Sequence, residues 1–163
     1  MRGADATRRA GRTLAICGFA VGLIGAAPRR ALEDKVPELK AARIGARERL
    51  GRPECQAVLT DFESVNGGRL DLVLRSTGRT AQEQLDLLSF DSGLGRPGCG
   101  RPVAASTHIQ SRVVYICLRP FALLRPVERE TVLIHEMLHS LGLGENPPTS
   151  GAITAQVMAR CGH

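Results

Sequence analysis

The sequence predicts an α+β domain in which a small β-sheet packs against one long, largely buried helix. Apolar residues recur at helical spacing from Val127 to Leu141, directly after Pro126, which predicts that helix. β-Branched and aromatic residues are concentrated in Arg112–Leu118, which predicts a strand. The 163 residues fit one domain with a real core.

The first 27 residues have the composition of a secretory signal peptide. Arginines at positions 2, 8, 9 and 12 precede an apolar run from Leu14 to Ala27, which ends in small residues suited to cleavage. An uncleaved membrane anchor is the second interpretation, although the run is short for a bilayer span. We expect a secreted or periplasmic protein with no stable membrane span after cleavage.

The charge of the chain does not indicate a nucleic-acid partner. Removal of residues 1–27 deletes four Arg and Asp5, so the formal net charge falls from +6 to +3. Arginine accounts for 20 of the 22 basic residues, but the arginines are scattered and there is no Trp and one Tyr. Nucleic-acid surfaces combine clustered cations with aromatic side chains, so none is expected. We expect a monomer with a charged, partly helical segment over 28–54 and the main domain over 55–163.

The early part of the chain is predicted to be mainly helical. Helical spacing of apolar residues predicts helices over Leu39–Leu50 and Cys55–Phe62. Leu70–Leu74 follows a turn and alternates apolar residues with Asp71, which predicts a strand. Thr80 and Glu83 form a capping-box pattern that begins a short helix ending at Leu88.

The later part alternates loop, strand and helix. Residues 91–102 are rich in glycine and proline and predict a loop. The strand Arg112–Leu118 and the helix from Pro126 follow, and Ser150–Arg160 predicts a closing helix.

The helix from Pro126 carries the sequence His135-Glu136-Met137-Leu138-His139. One helical turn takes 3.6 residues, so the two histidines project from the same face and can bind one metal ion. Glu136 lies beside them without having to bind the metal, where it can take a proton from an attacking water. A core helix with two incidental histidines is the alternative, and burial of a charged Glu136 without a partner would be costly in that case.

The longer pattern from His135 to Glu145, H-E-x-x-H-x-x-G-x-x-E, resembles the metzincin zinc peptidases. The resemblance implies a helix that ends at Gly142, where glycine tolerates positive φ, and a chain that turns back to present a third ligand. Those families usually have His at the third position, and this chain has Glu145. The implied site is Zn²⁺ held by His135, His139 and Glu145 in a zincin-like domain.

The function implied by this resemblance is that of a secreted zinc metallopeptidase, with Glu136 as general base and a peptide or protein as substrate. The strand Arg112–Leu118 would line the cleft and pair with an extended substrate, or would be an interior strand without that role. Two other functions remain open: a secreted zinc-binding module without catalysis, and a zinc amidase that acts on a non-peptide amide.

Four cysteines follow the leader and predict two disulfides in an oxidising compartment. Of three possible pairings we favour Cys99 with Cys117, which closes a loop onto the strand, and Cys55 with Cys161, which ties an early helix to the C-terminal region. Cys161 as a zinc ligand is the alternative, and it would leave a cysteine unpaired.

Three other residues have alternative roles. His108 and His163 are further possible zinc ligands; His108 is more readily explained as a solvated loop histidine and His163 as a mobile terminal one. Met158 is either a counterpart of the methionine below the zinc in that family or a core methionine of the closing helix, and we favour the second.

Overall fold

The computed structural model describes residues 32–99 and 102–163, so the predicted signal peptide lies outside the described residues. Within them the chain forms an α+β domain, as predicted, with seven α-helices, one 3-10 turn and a three-stranded sheet. The strands are β1 (Ser89–Ser92), β2 (Ala105–Thr107) and β3 (Val113–Ile116). The helices are α1 (Pro37–Leu50), α2 (Pro53–Gln56), α3 (Leu70–Ser76), α4 (Ala81–Asp86), α5 (Leu118–Leu123), α6 (Pro126–Ser140) and α7 (Ser150–Cys161).

Helix α6 lies at the centre of the domain. Pro126 occupies its first turn, where the missing N–H is not needed, and the backbone N–H of Arg125 donates to the carboxylate of Glu128 at 2.8 Å. α6 packs against α1, α7 and β2. Every residue of α6 from Leu133 to His139 is buried, so this part of the helix is enclosed on all sides. Burial on several sides holds α6 in a fixed position, which suits a helix that carries a site.

Helix α1 packs closely against α6 and belongs to the same core. A Cβ added at Gly45 would lie 2.5 Å from the carboxyl carbon of Glu130 on α6, so the missing side chain allows the close approach of the two helices. Arg49 forms an ion pair with Glu130 across this contact. The buried apolar face of α1 is formed by Leu39, Ala42, Ala46 and Leu50.

The sheet has the strand order β1-β3-β2. β1 is parallel to β3, with Phe90 opposite Val114, and β2 is antiparallel to β3, with Ser106 opposite Tyr115. The strand predicted over 112–118 is therefore the middle strand, and it is shorter, since Leu118 already begins α5. Both edges of β3 are occupied by neighbouring strands, so the interpretation as an interior strand is the one that agrees with the structure.

The predicted strand at Leu70–Leu74 is wrong, because these residues form part of helix α3. In a strand, residues 70, 72 and 74 would share one face. Instead Leu70 and Leu74 are buried while Leu72 is 51% exposed, which is the four-residue spacing of a helix. Asp71 also accepts a hydrogen bond from the guanidinium of Arg75 one turn later, a local contact available only to the helix.

Other elements differ from prediction at their boundaries. Cys55–Phe62 is divided between α2 and a 3-10 turn at Ala57–Thr60. Thr80 and Glu83 form the predicted capping box, but α4 ends at Asp86. Strands β1 and β2 were not predicted, and β1 extends into the predicted loop 91–102.

Both predicted disulfides are confirmed: Cys55 is bonded to Cys161, and Cys99 is bonded to Cys117. The first joins α2 to the end of α7, and the second joins the loop after β1 to the end of β3. Among the described helices none combines the length and the apolar composition that a bilayer crossing requires.

Loss of the Cys55–Cys161 bond should lower the free energy of unfolding by about 2–5 kcal/mol. This disulfide closes a loop of 106 residues, whereas the Cys99–Cys117 disulfide closes a loop of 18 residues. Restriction of the unfolded chain stabilises by about 4.7 kcal/mol for a loop near 100 residues and about 3 kcal/mol for one near 15. Urea unfolding should therefore give a larger loss for Cys55→Ala/Cys161→Ala than for Cys99→Ala/Cys117→Ala. Equal stability of the first variant and the wild type would contradict this expectation.

Candidate metal centre

The C-terminus of α6 turns back sharply at Gly142, as the sequence predicted. Gly142 has φ +100°, which strongly favours glycine. Its N–H donates to the carbonyl of His139 at 2.9 Å, and the N–H of Leu143 donates to the carbonyl of Leu138 at 3.1 Å. This pair of bonds is the Schellman motif, which ends a helix and reverses the chain. The reversal brings residues 143–145 back beside the last turn of α6.

A second segment holds the returning chain in place. The N–H of Val65 donates to the carbonyl of Gly142 at 2.9 Å, and Ser64 forms an isolated β-bridge with Leu143. A Cβ at Gly144 would lie 2.6 Å from a methyl group of Val65, so the two segments are in close contact here. The backbone on both sides of Leu143 is therefore fixed by contacts that do not involve Glu145.

His135, His139 and Glu145 form a group that could hold a metal ion. The Nε2 atoms of the two histidines are 2.9 Å apart, and Glu145 Oε1 lies 3.6 Å from His135 Nε2 and 3.3 Å from His139 Nε2. Both histidines are 5% exposed, and the Glu145 side chain is 39% exposed. The three candidate ligands predicted from the sequence thus meet at one point.

The distances between these atoms fit a tetrahedral metal. Ligands about 2.0–2.1 Å from a tetrahedral ion lie about 3.3–3.4 Å from one another. The three observed separations, 2.9, 3.3 and 3.6 Å, fall on both sides of that value. Two imidazole nitrogens and one carboxylate oxygen also form a donor set that suits zinc.

Each histidine has a hydrogen bond at Nδ1 that orients its ring. His139 Nδ1 is 2.8 Å from the carbonyl oxygen of Leu143, which can only accept, so Nδ1 carries the proton and Nε2 keeps its lone pair. His135 Nδ1 is 3.0 Å from the hydroxyl of Thr154 on α7. Outer hydrogen bonds of this kind fix the orientation of metal-binding histidines.

Burial shifts the pKa values of two groups at the site in opposite directions. It lowers the pKa of His135 to about 4, with a smaller effect from the neighbouring His139, so this imidazole is neutral at pH 7. It raises the pKa of Glu136 to about 8, with a smaller contribution from the charge of Glu145. A neutral imidazole is ready to bind a metal, and a nearby cation would favour the ionised form of Glu136.

Glu136 lies in the wall of a cleft beside the three candidate ligands. The cleft has a volume of about 480 Å³, and Glu136, His139 and Glu145 share its lining with all of β2. Glu136 is 5% exposed, and its Oε2 is buried without a hydrogen-bond partner in the part of the chain that the structure describes. Such an atom is costly to bury without a partner, and a water molecule in the cleft could supply one.

The other candidate ligands lie apart from this group. Cys161 is bonded to Cys55, His108 lines the cleft without belonging to the metal-binding group, and the His163 carbonyl accepts from Arg52 near α2. Met158 lies on α7 with its sulfur 3.8 Å from the hydroxyl of Thr131, one turn before His135. Its packing against α6 agrees with a structural methionine.

Sequence reasoning missed Thr154, the Leu143 carbonyl and strand β2. Thr154 is 19 residues from its histidine, and a main-chain carbonyl leaves no mark in the sequence. Comparison with known proteins gives no match: no family model, no curated protein and no solved structure.

Proposed function

We propose that this protein is an exported zinc-dependent metallopeptidase that hydrolyses peptide bonds. The observation that carries the proposal is the position of Glu136, buried with an unpaired carboxylate oxygen in the cleft that His139 and Glu145 also line. The resemblance to the metzincins over His135–Glu145 gives it chemical support, and two disulfides favour an oxidising compartment. A zincin-like fold is part of the same proposal.

The residues of the site divide the work of hydrolysis between binding and proton transfer. His135, His139 and Glu145 would hold Zn²⁺, which supplies Lewis-acid polarisation of a carbonyl and lowers the pKa of water to about 7. Glu136 accepts a proton from the water as the water oxygen bonds to the carbonyl carbon. It then donates that proton to the leaving nitrogen as the C–N bond breaks.

Strand β2 supports an extended peptide as the substrate. The N–H of Cys117 donates to the carbonyl of Ala104 at 2.9 Å, so these two residues form a hydrogen-bonded pair. Every second pair of an antiparallel ladder is hydrogen-bonded, so the next such pair is Ser106 with Tyr115. The N–H and C=O groups of Ala105 and Thr107 consequently point away from β3. β2 is the last strand of the described sheet on this side, and it lines the cleft. A peptide could add there as a further strand.

Glu136 also favours catalysis over a zinc-binding module. Metal binding alone needs the two histidines and Glu145, and it gives no reason for a second, buried carboxylate whose pKa is raised to about 8. Groups with strongly shifted pKa values in clefts are frequent among catalytic acids and bases. An amidase acting on a non-peptide amide would use the same residues, so only its substrate would differ.

The proposal is tested by cleavage of a random peptide library by the purified protein. We expect stoichiometric zinc in the protein, cleavage that stops when a chelator removes the metal, and recovery when Zn²⁺ is restored. Folded protein that binds no metal would contradict the proposal entirely. Zinc-loaded protein that cleaves neither peptides nor isolated cell-wall material would indicate a binding module, and cleavage of cell-wall material alone would indicate an amidase.

A further inference from the structure

The two histidines of the candidate metal centre are supported in different ways. His139 bonds to the main-chain carbonyl of Leu143, four residues later, so its support comes from the loop that follows α6. His135 bonds to the side chain of Thr154, which lies on a separate helix. The orientation of His135 therefore depends on where α7 lies and on one hydroxyl group.

Helix α7 is held firmly enough to act as that support. Ile153 and Val157 are fully buried on either side of Thr154 in sequence. The end of α7 is bonded to α2 through the Cys55–Cys161 disulfide. Asp61 accepts hydrogen bonds from Arg160 at 2.8 and 2.9 Å, which ties the exposed face of α7 to the segment after the 3-10 turn. These contacts fix the Thr154 Cα, and a β-branched side chain has few rotamers in a helix.

We propose that Thr154 is the positioning residue of the metal centre. Its hydroxyl accepts the Nδ1 proton of His135, which leaves the Nε2 lone pair free and holds the ring toward His139 Nε2 and Glu145. The inference rests on the proposed binding of a metal by this group, but it is independent of whether the protein hydrolyses peptides. Loss of an outer hydrogen bond of this kind typically weakens metal affinity about 10–100-fold.

The test compares Thr154→Val, which keeps the branched shape and loses the hydroxyl, with Thr154→Ser, which keeps the hydroxyl. Zinc affinity is measured by competition with a chromophoric chelator, and thermal unfolding of the metal-free proteins reports on the fold. We expect about 10–100-fold weaker zinc binding for the Val variant and near wild-type affinity for the Ser variant. The visible spectrum of the Co²⁺-substituted protein should change only in the Val variant.

Thr131→Val is the matched control. Thr131 lies on α6, one turn before His135, where it is buried in contact with Met158 of α7, and its hydroxyl donates to the Val127 carbonyl at 2.8 Å. The Thr131→Val variant should bind zinc as tightly as the wild type does. Wild-type affinity in Thr154→Val, or equal losses in Thr154→Val and Thr131→Val, would overturn the inference while leaving the proposed function intact. Equal losses in Thr154→Val and Thr154→Ser would also overturn it. A wild-type protein that binds no metal would instead contradict the proposed function.

Discussion

Glu136→Gln should lower the rate of peptide hydrolysis by about 10²–10⁴-fold while zinc binding and the fold are retained. Glutamine has nearly the shape of glutamate but cannot accept the proton of the attacking water. Since Glu136 does not belong to the metal-binding group, the zinc content should not change. The loss should therefore appear in kcat, with little change in KM.

Three measurements on the same samples test this expectation: steady-state cleavage of a peptide identified from the library, metal content, and thermal unfolding. Glu48→Gln is the control, because Glu48 is an exposed carboxylate on α1. Near-normal turnover by the Glu136→Gln variant would contradict the role of general base. Loss of zinc together with activity would show that the carboxylate belongs to the metal site instead.

Glu145→Ala should weaken zinc binding by more than about 100-fold, because loss of an outer-shell partner alone costs about 10–100-fold. The backbone around residue 145 is held by Val65, Gly142 and Leu143, so the substitution should remove the carboxylate without moving the loop. Glu145→His supplies an imidazole at the same position and should retain zinc. Both variants are compared with the wild type by chelator competition, with Glu48→Ala as the control.

Zinc binding by these two variants shows whether Glu145 is a metal ligand or a solvated acid of the loop. An alanine variant that holds stoichiometric zinc as tightly as the wild type would show that Glu145 is not the third ligand. His108, which also lines the cleft, would then be the next residue to test. Loss of zinc in both variants would indicate that the site requires a carboxylate in particular.

The helix of the candidate site and the two histidines that it carries could be predicted because their signals are local. His135 and His139 are four residues apart on one helix, and Gly142 alone determines where the chain can reverse. Position 145 was given by the resemblance to the metzincin pattern, which has its third ligand three residues after the glycine. Four cysteines allow three pairings, and the favoured one, chosen for the segments that it joins, is the one in the structure.

The remaining features depend on contacts between distant segments. β2 has three residues and forms a strand because β3 is available to pair with it. Leu70–Leu74 is a short apolar run after a turn, which fits a strand or a helix, and burial of Leu70 and Leu74 in the core agrees with the helix. Thr154 reaches His135 because α7 packs on α6, and the sequence around residue 154 does not predict this packing.

The Cys55–Cys161 bond also determines whether the protein separates into fragments after a protease cuts its backbone. Every residue of the candidate site lies between these two cysteines. A protease that cuts one peptide bond anywhere in this interval produces two pieces that remain covalently linked. Cut molecules would migrate as intact chains in electrophoresis without reductant and separate into fragments when a thiol is added. The integrity of a preparation must therefore be judged on a reducing gel.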